Sequence, residues 1–362
     1  MSLADVLPSC LAALRAEPNS AALPRANKTI VLLVDGLGAA SLRARAGHAR
    51  TLSGFMSAKS VIDSGFPTTT ASALATLATG TLPGQHGMVG YTVLDGANDR
   101  VVNQLSGWDE RIDPLTWQRE RTVFERAADA GIASVAIGPA RYSGSGFSAA
   151  VLRGATYLAG ASIGDRLELA ATVDAALVYV YVPELDMAAH TFGWESGEWT
   201  RALETLDAAI TRVALGPSDG MLVTADHGIV DVPQHGHILI DTAPQLVDGV
   251  RFVAGDPRCL QLHFEPDLSI AGRERLIAAW RDSESDRSWV ATREQAIAAD
   301  WFGPVRDEVE PRIGDLLVAA RKNIAYYDSR TATAHGLAMV GQHGSWSPAE
   351  VQVPLLRLGV FE

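Results

Sequence analysis

The chain has 362 residues, 47% hydrophobic and 20% charged, which is enough for a full buried core and more than one average domain. Its formal charge of -12, from 30 Lys and Arg against 42 Asp and Glu, argues against a long nucleic-acid partner, which would need clustered basic residues. No apolar run reaches the roughly 20 residues that span a bilayer, no signal-peptide core precedes a cleavage site, and Cys10 and Cys259 form no metal, redox or disulfide pattern, so a cytoplasmic protein without a membrane partner is expected.

In chain order, residues 4–15 read as a short helix followed by a connector. The apolar run Ile30-Val31-Leu32-Leu33-Val34 predicts a strand that ends in Asp35-Gly36-Leu37-Gly38. Gly-x-Gly-x-x-Gly is absent there and Asp35 stands where its first glycine would be, which excludes a dinucleotide fingerprint. A second short strand, Val61-Ile62-Asp63, leads into Gly65-Phe66-Pro67-Thr68-Thr69-Thr70-Ala71-Ser72-Ala73-Leu74. Pro67 suits a helix start, the threonines suit N-caps, and the Ala/Leu-rich run to Ala78 has good helix propensity. A threonine is therefore expected at a helix N-terminus, where free N–H groups and the helix dipole favour a phosphate. Thr68, Thr69, Thr70 and Ser72 are all local candidates for a nucleophilic hydroxyl.

Residues 91–114 are turn-rich and expected to lie over the sheet. Helical patterns over 119–130, 163–174 and 199–213 then alternate with apolar strands over 133–137, 177–182 and 221–225. Such alternation is the signature of an α/β fold with a mostly parallel central sheet flanked by helices. From residue 231 the texture changes to short strands (251–254, 260–264, 315–319) with two helices between them (273–280, 293–298). The expected organisation is a catalytic core of residues 1–230 and 336–362, resumed by the apolar run 353–358, with a small α+β lobe inserted at 231–335.

Metal-type ligands fall where strand-like runs end. Asp35, the pair Asp186 and His190, the pair Asp226-His227, and His343 follow runs at 30–34, 177–182, 221–225 and 337–340. In an open parallel sheet, ligands collect beyond the carboxyl ends of the strands, so these side chains can converge. Asp186-x-x-x-His190 shares one face of a helix. Gly228 permits a turn that could aim Asp226 and His227 together, and glycines frame His343, for which His335 is the rival. Carboxylates left unpaired in a crevice are costly, and a cation would satisfy them. His86 is expected to tie down a loop, His235 and His237 to lie on the surface, and Asp63, Asp231, Tyr91 and Trp108 are candidates for a pocket wall.

The combination Asp35-Gly, Pro67-Thr-Thr-Thr70, Thr79-Gly-x-x-Pro-Gly84-Gln-His86-Gly, Asp186-x-x-x-His190, Asp226-His227-Gly and His343-Gly resembles the alkaline phosphatase superfamily. Within it, the chain is most similar to the nucleotide pyrophosphatase/phosphodiesterase (type I phosphodiesterase) branch. The resemblance implies an alkaline-phosphatase-like fold and hydrolysis of a small phosphate ester, such as a nucleotide, with two zinc ions, manganese being the alternative. It assigns Asp35, Thr70, Asp226 and His227 to one ion and Asp186, His190 and His343 to the other. Thr70 would be the nucleophile and would pass through a phosphothreonine. In that branch Phe-Pro-Asn commonly follows the nucleophile, but here Ala71-Ser72-Ala73 follows Thr70, with Ser72 as a partial substitute. Phosphomonoester or phosphonate hydrolysis, and a metal-binding module without turnover, therefore stay open beside diester hydrolysis. No basic residue lies near Thr70 in sequence, which leaves Arg141 and Lys322 as distant ones the fold could bring in.

Overall fold

A computed structural model describes residues 1–362. The larger of its two main sheets contains β1 (Lys28–Val34), β2 (Val61–Asp63), β5 (Ser134–Gly138), β6 (Thr156–Ala159), β7 (Leu177–Val182), β8 (Asp219–Thr224) and β17 (Gln352–Gly359). Their spatial order is β2-β17-β8-β1-β7-β5-β6. All run parallel except β17, which is antiparallel to both β8 and β2. The central strands are near-continuous Val, Ile and Leu because helices cover both faces, and β1 is buried from Thr29 to Val34. No helix is long and apolar enough to cross a membrane.

Register places the chain exits of three central strands side by side. Leu33 of β1 pairs with Thr224 of β8, and Val34 pairs with Val182 of β7. With strands about 4.8 Å apart, whatever follows Val34, Val182 and Thr224 must emerge within about 10 Å at one edge. Asp35 comes directly after Val34, Asp226 two residues after Thr224 and Asp186 four residues after Val182.

The second sheet holds β3 (Thr92–Asp95), β4 (Arg100–Asn103), β11 (Val250–Asp256), β12 (Cys259–Phe264), β13 (Ser288–Thr292) and β14 (Leu316–Ala320), in the order β13-β14-β12-β11-β3-β4. It is antiparallel throughout. Its packing is separate from that of the large sheet: clusters of 12 and 11 buried residues lie against it, apart from the 61-residue core around the first. The β3–β4 hairpin corrects the expectation of a turn-rich cover at 91–114, because those eight residues extend the second sheet from outside the stretch 231–335. Two-stranded ribbons complete the strands: β9 (Val230–Asp231) with β16 (Gly341–Gln342), and β10 (His237–Leu239) with β15 (Ala325–Tyr327).

One buried ion pair joins the two sheets. Arg258, in the β11–β12 turn, donates two hydrogen bonds of 2.8 and 2.7 Å to Glu350, and two more to the carbonyls of Lys322 and Ile324. Glu350 also accepts from the Ser345 N–H through its carboxylate, and from the Gly228 N–H through its carbonyl. Both side chains are essentially inaccessible to solvent. Glu350→Ala would strand a buried guanidinium and should cost roughly 3–5 kcal/mol, read as a lower denaturation midpoint. The double variant Arg258→Met/Glu350→Leu should lose much less than the two single changes added together; additive losses would mean that the pair does not act as one unit.

Candidate metal centre

Helix Thr70–Thr79 is buried along its whole length, which explains its Ala/Leu composition, and Gly80 closes it at φ 68°. Thr69 is the N-cap residue, with extended φ and ψ and no side-chain cap, so Thr70 is the first helical residue and the helix's first N–H groups have no capping side chain. Pro67 does not start the helix as the sequence suggested: it sits two residues before the cap, after a cis Phe66-Pro67 bond.

The four hydroxyl candidates separate by their partners. Thr70 Oγ1 lies 3.2 Å from His227 Nε2. Thr68 donates to the carbonyl of Ser345 and accepts from the N–H of Gly344. Ser72 donates to the carbonyl of Met88 at 2.6 Å, so it points away and does not replace the missing asparagine. Thr69 lies buried at the cap.

Around Thr70 the strand exits supply two groups of ligand atoms, Asp35 with Asp226 and His227, and Asp186 with His190 and His343; within each group the atoms lie within 4.8 Å of one another. Asp186 and His190 are one turn apart on helix Glu184–Phe192, 3.1 Å from carboxylate to Nε2. His227 Nε2 is 3.5 Å from both Asp35 and Asp226. His343 bridges the groups: its ring stacks on His227 at 3.7 Å between centroids and lies 5.2 Å from the ring of His190.

His343 arrives by an unexpected route. Residues 337–340 are not a core strand: Leu337 and Ala338 end the surface helix Ala334–Ala338, and His343 leaves the two-residue β16, paired with β9. His335, on that exposed helix, is away from the site. Gly228 also has a different reason from the expected turn. A Cβ there would lie 2.0 Å from the carbonyl oxygen of Ala349 and 2.9 Å from Gly38 Cα, so close packing of the ligand loop demands glycine.

Two features fit cations. First, each histidine has Nδ1 against a backbone carbonyl: His190 on Gly341, His227 on Gly228 and His343 on Thr68, at 2.8, 3.1 and 2.7 Å. With Nδ1–H donating, every Nε2 lone pair is left for the centre, the arrangement that orients metal-bound imidazoles. Second, Asp35 Oδ1, Asp186 Oδ1 and Asp226 Oδ2 are buried without a hydrogen-bond partner. The other oxygens of two of them are held, since Tyr181 donates to Asp35 and the Gly36 and His227 N–H groups donate to Asp226, whereas the second oxygen of Asp186 faces His190 Nε2. Three orphaned carboxylate oxygens in one place call for positive charge.

The proton equilibria carry the same strain. Burial, then the charges of Asp226 and Asp186, push Asp35 well above the usual carboxylate range. Burial also raises Asp226, against the pull of His227. At Asp186 burial acts upward, but His190, His343 and His227 together outweigh it and hold the group low. His343 is depressed by burial and by the neighbouring His227.

The remaining candidates have structural partners. His86 is buried behind the helix, bonded to Thr76 Oγ1 and accepting from the Met88 N–H, and burial lowers its pKa to about 3. Asp231 accepts from the Trp194 and Glu195 N–H groups, Asp63 is exposed on β2, and Trp108 donates to the carbonyl of Gln104. His235 is exposed and His237 packs against Tyr327. Tyr91, partly exposed, borders a cleft in the second sheet. Lys322 is exposed just past β14, whereas Arg141 lines the same cavity as Thr70 and has no carboxylate partner. Sequence reasoning missed Glu350 and Asp256. The end of β11 brings buried Asp256 against Gly344, beside the His343 loop, and burial raises its pKa to about 7. An acidic residue at the end of a strand of the second sheet gives no signal of its own.

Comparison with curated protein sequences gives no match. Among solved structures, the fold is similar to that of murine ectonucleotide pyrophosphatase/phosphodiesterase 5, at 16% identity and a TM-score of 0.68, over 91% of this chain and 87% of that one. It is also similar to phosphonoacetate hydrolase from Sinorhizobium meliloti 1021 in complex with phosphonoacetate, at 17% identity and a TM-score of 0.71, over 92% and 91% of the two chains. An inactive variant of the murine protein in complex with AMP matches at 16% identity and a TM-score of 0.67, over 91% and 87%. Residues 29–346 match the family described as type I phosphodiesterase/nucleotide pyrophosphatase, a span that runs from β1 through every candidate ligand to just past His343. The chain belongs to that family, within the alkaline phosphatase superfamily.

Proposed function

We propose that the chain is a two-zinc phosphodiesterase or nucleotide pyrophosphatase that acts through a phosphothreonine on Thr70. The observation that carries this reading is the convergence of three Nδ1-anchored histidines and three orphaned carboxylate oxygens on a helix N-terminus whose first residue is a threonine. Asp35, Thr70, Asp226 and His227 would hold one ion and Asp186, His190 and His343 the other. When bound, the ions supply the positive charge that favours a Thr70 alkoxide and offsets the charge of the phosphoryl group.

The chain's own groups account for the rest. Thr70 Oγ1 forms a bond to phosphorus as the ester oxygen departs and its own proton is lost to water, while His227, 3.2 Å away, keeps Nδ1–H on the carbonyl of Gly228 and so would leave Nε2 to the ion. The uncapped N–H groups at the start of helix Thr70–Thr79 face developing negative charge on the phosphoryl oxygens. Water then cleaves the phosphothreonine, restoring the hydroxyl and releasing phosphate product.

A second reading, phosphonate hydrolysis, is favoured by Arg141, a guanidinium without a carboxylate partner that lines the same cavity as Thr70 and could take a second anionic group of a small substrate. Parallel rates on bis(p-nitrophenyl) phosphate, p-nitrophenyl phosphate, phosphonoacetate and p-nitrophenyl sulfate test both. Zinc-dependent turnover with the diester fastest is expected. Preference for phosphonoacetate would select the second reading, and no turnover of any substrate after zinc reconstitution would overturn both.

A further inference from the structure

A cavity of about 330 Å³ opens beside Thr70. One face of helix Thr70–Thr79 lines it with Thr70, Leu74, Leu77 and Ala78, at helical spacing, and the β7 side chains Tyr179 and Tyr181 line it from the sheet. Fourteen of its 19 lining residues are hydrophobic. A chamber built only to take phosphate would not need such a wall, and a folded protein does not keep an apolar hollow of this size without cost.

Four of the nine polar side chains that line it are spent on protein acceptors. Tyr181 donates to Asp35, Tyr157 to the carbonyl of Pro139, Ser148 to the carbonyl of Tyr142, and Ser145 to Ser148. A nucleobase placed here would find only the Tyr179, Tyr142 and Ser106 hydroxyls and Arg141 for its donors and acceptors, against a wall in which Leu7, Leu74, Leu77, Ile137 and Val151 offer none. A hydrocarbon chain has none to satisfy. Arg141, which lines the cavity while its own side chain is exposed, offers the charge that an anionic headgroup would seek.

We propose that this chamber binds the aliphatic group of the substrate, so that the preferred ester is an alkyl or lipid-like phosphate or phosphonate whose phosphorus sits at Thr70. This rests on the hydrolase reading above for the position of phosphorus, and it replaces a nucleoside with a hydrocarbon as the recognised group.

Calorimetric titration of the zinc-reconstituted protein with ethyl-, butyl-, hexyl- and octylphosphonate tests it. Each methylene removed from water strengthens binding by about threefold to fourfold, so octylphosphonate should bind on the order of a hundredfold tighter than butylphosphonate. Leu105→Asp, in a partly exposed loop of the wall, should flatten the series. Leu152→Trp, which fills the chamber from the end of helix Gly146–Val151, should cut the gain off at a shorter chain. A flat series in wild-type protein that hydrolyses diesters, or thymidine monophosphate binding tighter than octylphosphonate, would overturn the assignment and leave the hydrolase reading intact. A steep series in protein that hydrolyses no ester would do the reverse.

Discussion

Thr70→Ala should lower turnover by a factor on the order of 10³ or more while the fold and most of the bound metal persist. Asp35, Asp186, His190, Asp226, His227 and His343 all remain in the variant, and Thr70 lies at the start of a buried helix where alanine is well tolerated. Thr70→Ser should keep substantial activity, because the hydroxyl survives. Thr68 makes the comparison demanding. Its hydroxyl holds Gly344 and Ser345, and its carbonyl accepts from His343, so Thr68→Ala should loosen the His343 loop and weaken metal binding without removing the nucleophile. The two variants therefore fail differently: excess zinc should restore much of the Thr68→Ala rate and none of the Thr70→Ala rate. Stereochemistry gives an independent check on a chiral phosphorothioate diester. Two in-line displacements, first by Thr70 and then by water, retain configuration. Inversion, or a Thr70→Ala enzyme near the wild-type rate, would mean that Thr70 only positions a water.

Much of this architecture could be read from residue order. Parallel strands buried on both faces have to be apolar runs, and the chain that leaves them has to turn at one edge, so Asp35 after Ile30-Val31-Leu32-Leu33-Val34 and Asp226 after Met221-Leu222-Val223-Thr224-Ala225 announced themselves. The hairpin Thr92–Asp95 and Arg100–Asn103 did not, since four-residue strands are too short to establish a period and the contact that joins the hairpin to the sheet, Thr92 against Gly255, spans 163 residues. Helix starts slipped where caps outranked periodicity. The helical pattern from residue 119 begins only at Val123, because Thr122 and Glu125 form a capping box there.

In the site itself, residue types were legible and their supports were not. His343 carried a glycine-framed signature, yet its position depends on the carbonyl of Thr68 and on Glu350, which fixes Ser345 from the far side of an ion pair with Arg258. Such links join residues remote in sequence and leave no local pattern. Ser72 shows the converse. Its residue type offered a partial substitute for the asparagine without giving its direction, and a helix turns 100° per residue, a rotation that delivers the hydroxyl to the carbonyl of Met88.

Removing divalent cations should lower the thermal midpoint, and Asp226→Asn should reverse the order of stability between wild type and variant. In metal-free protein, Asp35, Asp186 and Asp226 are buried together with three unpartnered oxygens, and their mutual repulsion opposes folding. A ligand at 1,000 times its dissociation constant stabilises by about 4 kcal/mol, which for a chain of this size corresponds to roughly 5 to 10 °C. Wild type in chelator should therefore melt lower by that margin than wild type in zinc. Asn at 226 keeps the size and one carbonyl oxygen but removes a charge, so the variant in chelator should melt above metal-free wild type. In zinc it should gain little and melt below wild type. His343→Ala should retain less bound zinc by elemental analysis, whereas His335→Ala, on the exposed helix, should match wild type. A midpoint indifferent to chelator in wild type, together with no gain for Asp226→Asn in chelator, would mean that protons already balance the buried carboxylates. The two groups of ligand atoms would then be a hydrogen-bonded acidic core and not a metal centre.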